Sequence, residues 1–259
     1  MKTSTIWDRR PWWLRALAIA FWLGAWQVLS AVVGQDILLV SPVTALRALF
    51  RLMGTGAFYL SVALSFGRIM LGFVLALALG GVLSVLAHRF SAVDVLLSPL
   101  MAVVKATPVA SFVILALVWI RASNLSVFTG FLMVLPIIYV NVLNGLRSAD
   151  ARLLEMADAF KLPALRRVRA IYAPAVYTYL LAACQMALGM CWKAGIAAEV
   201  IGQPAGSIGD RLYRAKLFLA TDELFAWTLT IIVVSVLFER LVIHAIERLR
   251  SVYVGGGAS

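Results

Sequence analysis

The residues best suited to chemistry in this chain are a few ionisable side chains that lie within long apolar stretches. Lys193 and Glu199 are six residues apart, so they do not face each other on one straight helix. Charged residues within apolar spans are functional candidates by default, because an unpaired charge there is costly. Two roles are open for Lys193: it faces a polar path, where it suits an anionic ligand, or it pairs with a carboxylate on another helix.

Residues for acid–base, nucleophilic or metal chemistry do not cluster in the sequence. The two histidines, His88 and His244, are far apart and each lies near an arginine. Cys184 and Cys191 fall in one apolar run, too far apart for a disulfide within one helix, and we expect them to be packing residues. No paired-acid or metal-ligand spacing is present. We therefore predict no catalytic residue, no metal site and no enzymatic activity.

The composition predicts a membrane protein. Of the 259 residues, 63% are hydrophobic and 14% are charged, whereas soluble domains are about 45–50% apolar and about 25% charged. A spanning helix needs about 20 mostly apolar residues, so we predict an all-α, polytopic integral membrane protein with about six transmembrane helices. The apolar runs are Ala16–Gln35, Ile69–Ala87, Val95–Ile120, Ala122–Leu146, Ala170–Trp192 and Leu224–Ile246.

The net charge of +11 is explained by membrane topology rather than by nucleic-acid binding. With both termini in the cytoplasm, most Lys and Arg residues lie on the cytoplasmic side, as the positive-inside rule requires. We expect residues 1–15, with Trp7 and Arg9, to form a cytoplasmic anchor. Residues 16–250 form the membrane domain and residues 251–259 a flexible tail. The lipid bilayer is the expected partner of the basic surface, and no nucleic acid is expected.

Short segments between the predicted spans carry local signals. Ser41–Met53 begins with Ser-Pro and is predicted to be a short amphipathic helix at the outer interface, with a solvated loop as the alternative. Pro108 is predicted to open a helix as its first residue, which leaves Val95–Ala106 as an interfacial helix that carries Lys105. The alternative is one long kinked span in which Lys105 is buried, which is costly unless the lysine is paired. Glycines expected to permit close helix packing are Gly72, Gly80 and Gly81.

The segment Glu155–Pro174 is basic and favours a helix, although it lies between two apolar runs. Such a charged helix is costly to place anywhere except at the cytoplasmic face, where it can dock to a soluble partner. The motifs around it are Ser65-x-x-Arg68-x-x-x-Gly72-Phe73, Glu155-x-Ala157 with Ile171 and Pro174, Trp192-Lys193 through Glu199-x-x-Gly202, and Gly206-x-x-Gly209.

In this order and spacing, the motifs resemble the permease subunits of binding-protein-dependent ABC importers of the nitrate, sulfonate and taurine type. The resemblance covers roughly Ser41 to Arg250. It identifies residues 150–174 as the EAA loop, or coupling loop, and implies the type I ABC importer permease fold. It also implies a homodimer with the translocation path between its subunits, a cytoplasmic ATPase dimer that grips both coupling loops, and a periplasmic or lipid-anchored binding protein.

Three groups of site residues follow. Coupling to the ATPase is expected of Glu155, Ala157, Asp158, Phe160, Lys161, Pro163, Ile171 and Pro174. A role in the path or in contact with the binding protein is expected of Lys193, Glu199, Gly202, Gly206 and Gly209. Packing is expected of Arg68, Gly72 and Pro108. The physical requirement on the coupling loop is one apolar face, formed by Leu154, Ala157 and Phe160, that sits in a groove of the ATPase.

One position departs from the family pattern. Where the family usually has glycine in the turn of the coupling loop, this chain has Lys161, followed by Leu162 and Pro163. Proline biases the preceding residue away from helix and can start the next one. We therefore expect the turn to depend on Pro163 rather than on glycine.

The sequence thus predicts the permease subunit of an ABC importer in the bacterial inner membrane, carrying a small anionic or polar organic solute. The chain contains no G-x-x-x-x-G-K-[ST] sequence, so ATP and magnesium are expected on the separate ATPase and no cofactor on this chain. Two alternatives are a membrane scaffold or regulatory subunit that does not transport, and a membrane-embedded lipid enzyme. The first predicts no coupling to an ATPase, and the second needs a polar catalytic cluster.

Overall fold

The computed structural model describes residues 11–253, and the secondary structure of these residues is entirely helical. The predicted anchor residues Trp7 and Arg9, and positions 254–259 of the predicted tail, lie outside the described residues. The helices are α1 Trp12–Val33, α2 Pro42–Met53, α3 Gly56–Arg89, α4 Ser91–Ala106, α5 Val109–Ala116, α6 Ala122–Arg147, α7 Ala151–Ala159, α8 Ala164–Arg167, a π-helical turn Val168–Tyr172, α9 Ala173–Gly202, α10 Ile208–Leu217 and α11 Thr221–Tyr253.

The chain divides into two compact units. The first contains the described chain up to Tyr59 together with Arg211–Ile231, and the second contains Leu60–Asp210 together with the described chain from Ile232. In the second unit, α6 packs most extensively on α9 and also contacts α4 and α5. In the first unit, α1 packs on α2, and the Trp26 indole N–H donates to the Val40 carbonyl oxygen at 3.0 Å.

Within residues 11–253, five helices are long and apolar enough to cross a membrane, and a bent pair provides a sixth candidate. The five lie at Trp12–Val33, Gly56–Arg89, Ala122–Arg147, Ala164–Gly202 and Thr221–Ile246. The bent pair is α4 and α5, whose axes meet at 100°. The prediction of an all-α protein with about six spans is therefore confirmed.

The break between α4 and α5 lies at Pro108, as the sequence suggested, but Pro108 is the residue before α5 rather than its first residue. Thr107 is extended, with φ −79° and ψ 129°, because the proline ring disfavours a helical conformation in the residue before it. A helix of eight residues is only about 12 Å long, so α5 cannot cross a bilayer alone. Lys105 lies in the last turn of α4, as predicted for a separate helix.

The short helix predicted after the first span is present as α2. Ser41 caps it, since its side chain accepts a hydrogen bond from the Thr44 N–H at 3.2 Å, and Pro42 occupies the first helical position. Its small residues Ala45 and Ala48 are buried. Its large apolar residues Val43, Leu46 and Phe50 are exposed, as expected of a helix that lies in a membrane interface.

Glycines bring the long helices of the second unit close together. A Cβ atom at Gly72 on α3 would lie 2.5 Å from the Val127 carbonyl oxygen on α6. A Cβ atom at Gly145 on α6 would lie 2.8 Å from the Val176 Cα on α9. Gly81, which was also expected at a helix contact, has nothing within 4 Å of its Cβ position. A Cβ atom at Gly80 would lie 3.0 Å from the Ile138 side chain on α6, so helix packing in α3 depends on Gly72 and Gly80 and not on Gly81.

Gly72→Ala is expected to lower the free energy of unfolding by about 1–3 kcal/mol, because the new methyl group collides with backbone that cannot rotate away. Gly81→Ala is the matched control on the same helix, and it is expected to be neutral or to stabilise by about 0.5–1 kcal/mol. The measurement is the unfolding temperature of the detergent-solubilised protein, followed by size-exclusion chromatography after heating. Equal unfolding temperatures for the two variants would contradict this packing.

Candidate functional site

The coupling loop folds as two short helices joined by a tight turn. At the end of α7, the Leu162 N–H donates to the Ala157 carbonyl at 2.9 Å and the Lys161 N–H donates to the Asp158 carbonyl at 3.0 Å. This pair of bonds is the Schellman motif, which requires a left-handed residue after the helix. Lys161 supplies that conformation with φ 49°.

The turn therefore uses both Lys161 and Pro163. Lys161 adopts the left-handed conformation that glycine adopts without strain, and Pro163 immediately precedes α8 as its cap. Across the turn, the Arg167 guanidinium donates to the Asp158 carboxylate at 2.6 Å, which ties α8 to α7. The expectation that Pro163 replaces the glycine is corrected: the left-handed turn is retained, with a lysine in it.

The apolar residues of α7 that face outward are not the set that was expected to face the ATPase. Ala157 is fully buried against the protein itself and Leu154 is partly buried, so this side faces inward. The exposed side chains near the turn include Met156, Phe160 at 75% and Leu165 at 79% exposure. The outward apolar surface of the coupling loop is thus formed by these residues and not by Ala157. Residues 154 and 157 are one helical turn apart, as are 153 and 156, so either stripe would look apolar in the sequence.

The remaining coupling residues mark the junction with α9. Ile171 lies in the π-helical turn and is buried at 7% exposure, and Pro174 is exposed in the first turn of α9. Glu155 is exposed on α7. The coupling loop therefore has a buried base that includes Ala157 and Ile171, and an outer surface that carries Glu155.

A buried polar cluster lies near the C-terminal end of α9. Glu199 is fully buried, and its Oε2 accepts hydrogen bonds from the Ser65 hydroxyl at 2.6 Å and from the Gly209 N–H at 3.3 Å. Ser65 in turn accepts a hydrogen bond from the Ile208 N–H at 2.9 Å. The Arg68 guanidinium lies 3.8 Å from Glu199 Oε1. One carboxylate thus joins α3, α9 and the start of α10.

This cluster corrects the expectation for Glu199. Glu199 is an internal clamp and presents no surface to a path or to a binding protein in this structure. The segment from Gly202 to Gly209 is a hydrogen-bonded turn: the Gly206 N–H donates to Asp210 Oδ2 at 3.1 Å, and the Asp210 N–H donates to the Ser207 hydroxyl at 3.0 Å. A Cβ atom at Gly209 would collide with Glu199, so glycine is needed there for close approach.

Lys193 differs from Glu199 because it is exposed. It follows the buried Trp192 on α9 and shares its outward face with Met186 and Met190, which are 62% and 44% exposed. The opposite face of α9 is buried against the other helices of the second unit. A charge at such a position in a membrane requires water or another protein surface beside it.

Two groups in this unit were not predicted from the sequence. Ser65 was noted only as a motif residue, and its role as the partner of a carboxylate 134 residues away has no local signal. Asp94 accepts hydrogen bonds from Arg147 at 2.6 Å and from the Tyr139 hydroxyl at 3.0 Å, which ties α4 to the end of α6 just before the coupling loop. By contrast, the Ser207-x-x-Asp210 spacing is typical of the start of a helix, so this turn could have been predicted from the sequence.

These features define a multi-span helical membrane protein with an exposed, charged helix–turn–helix between two of its spans. The chain belongs to the family described as the inner membrane component of binding-protein-dependent transport systems, whose model matches residues 69–251. It is therefore the membrane-spanning permease subunit of an ABC importer, and it functions with ATPase and substrate-binding partners rather than as an enzyme.

Relatives along nearly the whole chain agree with this family. SsuC of Bacillus subtilis (strain 168), named as an aliphatic sulfonates transport permease protein, is 26% identical over 253 residues, covering 95% of this chain and 91% of the relative. The nitrate import permease protein NrtB of Synechococcus elongatus is 25% identical and covers 80% and 77% of the two chains. The taurine transport system permease protein TauC of Escherichia coli (strain K12) is 23% identical and covers 90% and 85%.

Substitution of Glu199 is expected to destabilise the protein strongly. Glu199→Ala leaves the Arg68 guanidinium without its carboxylate and should cost about 3–5 kcal/mol. Glu199→Gln is expected to cost less, because its carbonyl oxygen still accepts from Ser65 and Gly209. The exposed Lys193→Ala on the same helix should leave the unfolding temperature unchanged. An unfolding temperature for Glu199→Ala equal to that of Lys193→Ala would refute the clamp.

Lys161→Gly is expected to stabilise the turn of the coupling loop, because a left-handed conformation costs about 1–2 kcal/mol for a residue with a Cβ. Lys161→Ala is the control: it removes the same charge but keeps the strain. Hydrogen exchange of the amides in residues 150–174 measures the effect. We expect roughly five- to tenfold slower exchange in Lys161→Gly, for a gain of about 1 kcal/mol, and no slowing in Lys161→Ala.

Proposed function

We propose that two copies of this permease pair and enclose the translocation path, and that the coupling loop of each copy docks into a cytoplasmic ATPase dimer. ATP and magnesium are bound by the ATPase, and closure of its dimer moves the two coupling loops together. This movement shifts the permease towards a state open to the opposite side, where a binding protein delivers the solute.

The observation that carries this proposal is the outer surface of the coupling loop. Phe160 and Leu165 are among the most exposed large apolar side chains in the described chain, and Met156 is 46% exposed beside them. They are surrounded by ionisable residues, including Glu155 and Arg166. Exposed apolar side chains with a charged rim are typical of a surface that a protein partner covers.

The charges of the loop support a cytoplasmic orientation. Arg152, Lys161, Arg166, Arg167 and Arg169 give residues 150–174 a basic excess over Asp150, Glu155 and Asp158. Short basic loops stay on the cytoplasmic side of bacterial inner membranes. We therefore propose that both termini also lie in the cytoplasm.

The exposed face of α9 supports pairing of two copies. Lys193 lies on this face with Met186 and Met190, while the other face of the helix is packed in the protein core. Hydrocarbon is a costly environment for an ammonium group, whereas a water-containing path between two subunits is not. A path lined by Lys193 from each copy attracts anions, which agrees with the sulfonate, nitrate and taurine transport named for the relatives. We propose a small anionic or polar organic solute.

Glu155→Arg tests the coupling surface. Reversal of this exposed charge should lower copurification of the ATPase and solute uptake together, by about tenfold for a loss of about 1.4 kcal/mol of docking free energy. Phe160→Ala should act in the same direction because it removes an apolar contact. Asp36→Arg, which reverses an exposed acid outside the coupling loop, is the matched control and should change neither quantity.

The experiment uses the tagged permease purified from its native membrane in mild detergent, with quantification of the ATPase that accompanies it. Normal ATPase recovery and normal uptake in Glu155→Arg and Phe160→Ala would reject docking through this surface. Equal losses in the Asp36→Arg control would show that the effect is not specific to the coupling loop.

A further inference from the structure

A separate cavity of about 360 Å³ lies within the first compact unit. Its walls come from the end of α2 and the start of α3, from α10, and from the start of α11. The side chains that decide its chemistry are Phe58, Arg211, Arg214, Phe218, Glu223 and Trp227. Small-molecule sites typically occupy about 300–1,000 Å³ and combine apolar walls with a few polar groups, so the size and lining fit a compact ligand.

The cavity has an excess of positive charge. Glu223, the acidic residue among its lining, lies 3.5 Å from Arg51, which also binds Asp222 at 2.8 Å. Arg51 lies outside the lining and carries one charge, which it shares between Asp222 and Glu223. Arg211 and Arg214 against Glu223 leave the lining with an excess of one positive charge.

Arg211 also carries an unsatisfied hydrogen-bond donor. Its Nε is buried and has no acceptor among the described residues. Buried donors without a partner are rare in native proteins, and a bound acceptor group is one of the explanations for such a donor. A guanidinium edge presents its donors in the plane that suits the oxygens of a sulfonate, phosphate or carboxylate.

The apolar wall contains a stacked aromatic pair. Phe58 stacks on Trp227 with ring centroids 5.2 Å apart and an interplanar angle of 29°. Trp227 is almost fully buried, whereas Phe218 on the other wall is 80% exposed. The stacked pair therefore offers an aromatic surface to an apolar substituent.

We propose that this cavity binds a small organic oxyanion, a sulfonate or phosphate with an apolar substituent, with the oxyanion at Arg211 and the substituent against Phe58 and Trp227. Two sources share this chemistry: the transported solute and the headgroup of an anionic phospholipid. The first source rests on the proposed function, since it requires an anionic organic solute. Either occupant provides a hydrogen-bond acceptor for Arg211 and a negative charge that offsets the positive charge of the lining.

The test uses the full-length permease, copurified with its ATPase and placed in phosphatidylcholine nanodiscs. Benzenesulfonate is the probe, titrated by calorimetry, and benzenesulfonamide is its uncharged counterpart. We expect saturable binding of benzenesulfonate, at least tenfold weaker binding in Arg211→Gln, and little binding of the sulfonamide. Lys216→Gln removes a cation from the same helix outside the lining and should stay within twofold of the parent.

A second arm distinguishes the sources. The same variants are placed in nanodiscs with phosphatidylglycerol, and the retained lipid is counted by native mass spectrometry. Phosphatidylglycerol retained by the parent and lost in Arg211→Gln, without benzenesulfonate binding, assigns the cavity to a lipid headgroup and supports the oxyanion site. Arg211→Lys keeps the charge but loses the planar donor, and it should weaken whichever ligand binds.

The proposal is overturned if the parent binds neither benzenesulfonate nor phosphatidylglycerol. It is also overturned if Arg211→Gln binds both of these ligands as the parent does. ATPase recovery is measured in every sample, which confirms that each variant is folded and assembled. If Arg211→Gln recovers the ATPase normally, the proposed coupling role is unaffected by the result for the cavity. Loss of ATPase recovery in Glu155→Arg concerns only the coupling loop and does not test the cavity.

Discussion

The close approach of α3, α6 and α9 is the constraint on which the second unit of this permease depends. Lipid is as apolar as leucine, so helices in a membrane gain little from hydrophobic burial and associate through short-range packing instead. Gly72 and Gly145 allow backbone to lie against backbone, and Gly195 on α9 packs against Ile69 on α3. Because these contacts leave no room for a methyl group, they fix which face of each helix is inward and therefore which residues remain exposed.

Helix α9 transmits that constraint from one end of the unit to the other. It continues from the coupling loop through the π-helical turn Val168–Tyr172 and ends at the Glu199 cluster, so its 30 residues span about 45 Å. Its buried face is close-packed, and packed interfaces move between discrete arrangements rather than deform smoothly. The π-helical turn is the irregular element on this route, and such turns are often found at functional positions. The coupling loop is thus continuous with α9 through this turn.

The sequence was sufficient for the spans, the capped helix α2 and the break at Pro108, because each depends on neighbouring residues. It was insufficient for the orientation of α7, where Leu154 with Ala157 and Leu153 with Met156 are equally plausible apolar stripes. In a soluble helix, polarity distinguishes the two sides, but α7 has apolar residues both on its buried side and on its exposed side. The environment of Glu199 could not be predicted from the sequence either, because Ser65 and Gly209 approach it only in the folded chain.

The two charged residues on α9 lie in opposite environments. Glu199 faces inward, where hydrogen bonds from Ser65 and Gly209 and the nearby Arg68 compensate its burial. Lys193 is on the outward face, where no such network is built around it in the described chain. A buried charge with partners holds helices in register, whereas an ammonium group exposed in an apolar span requires water or another protein surface beside it. The inner face of α9 therefore sets the geometry of the unit, and the outer face is the one on which we propose that the path lies.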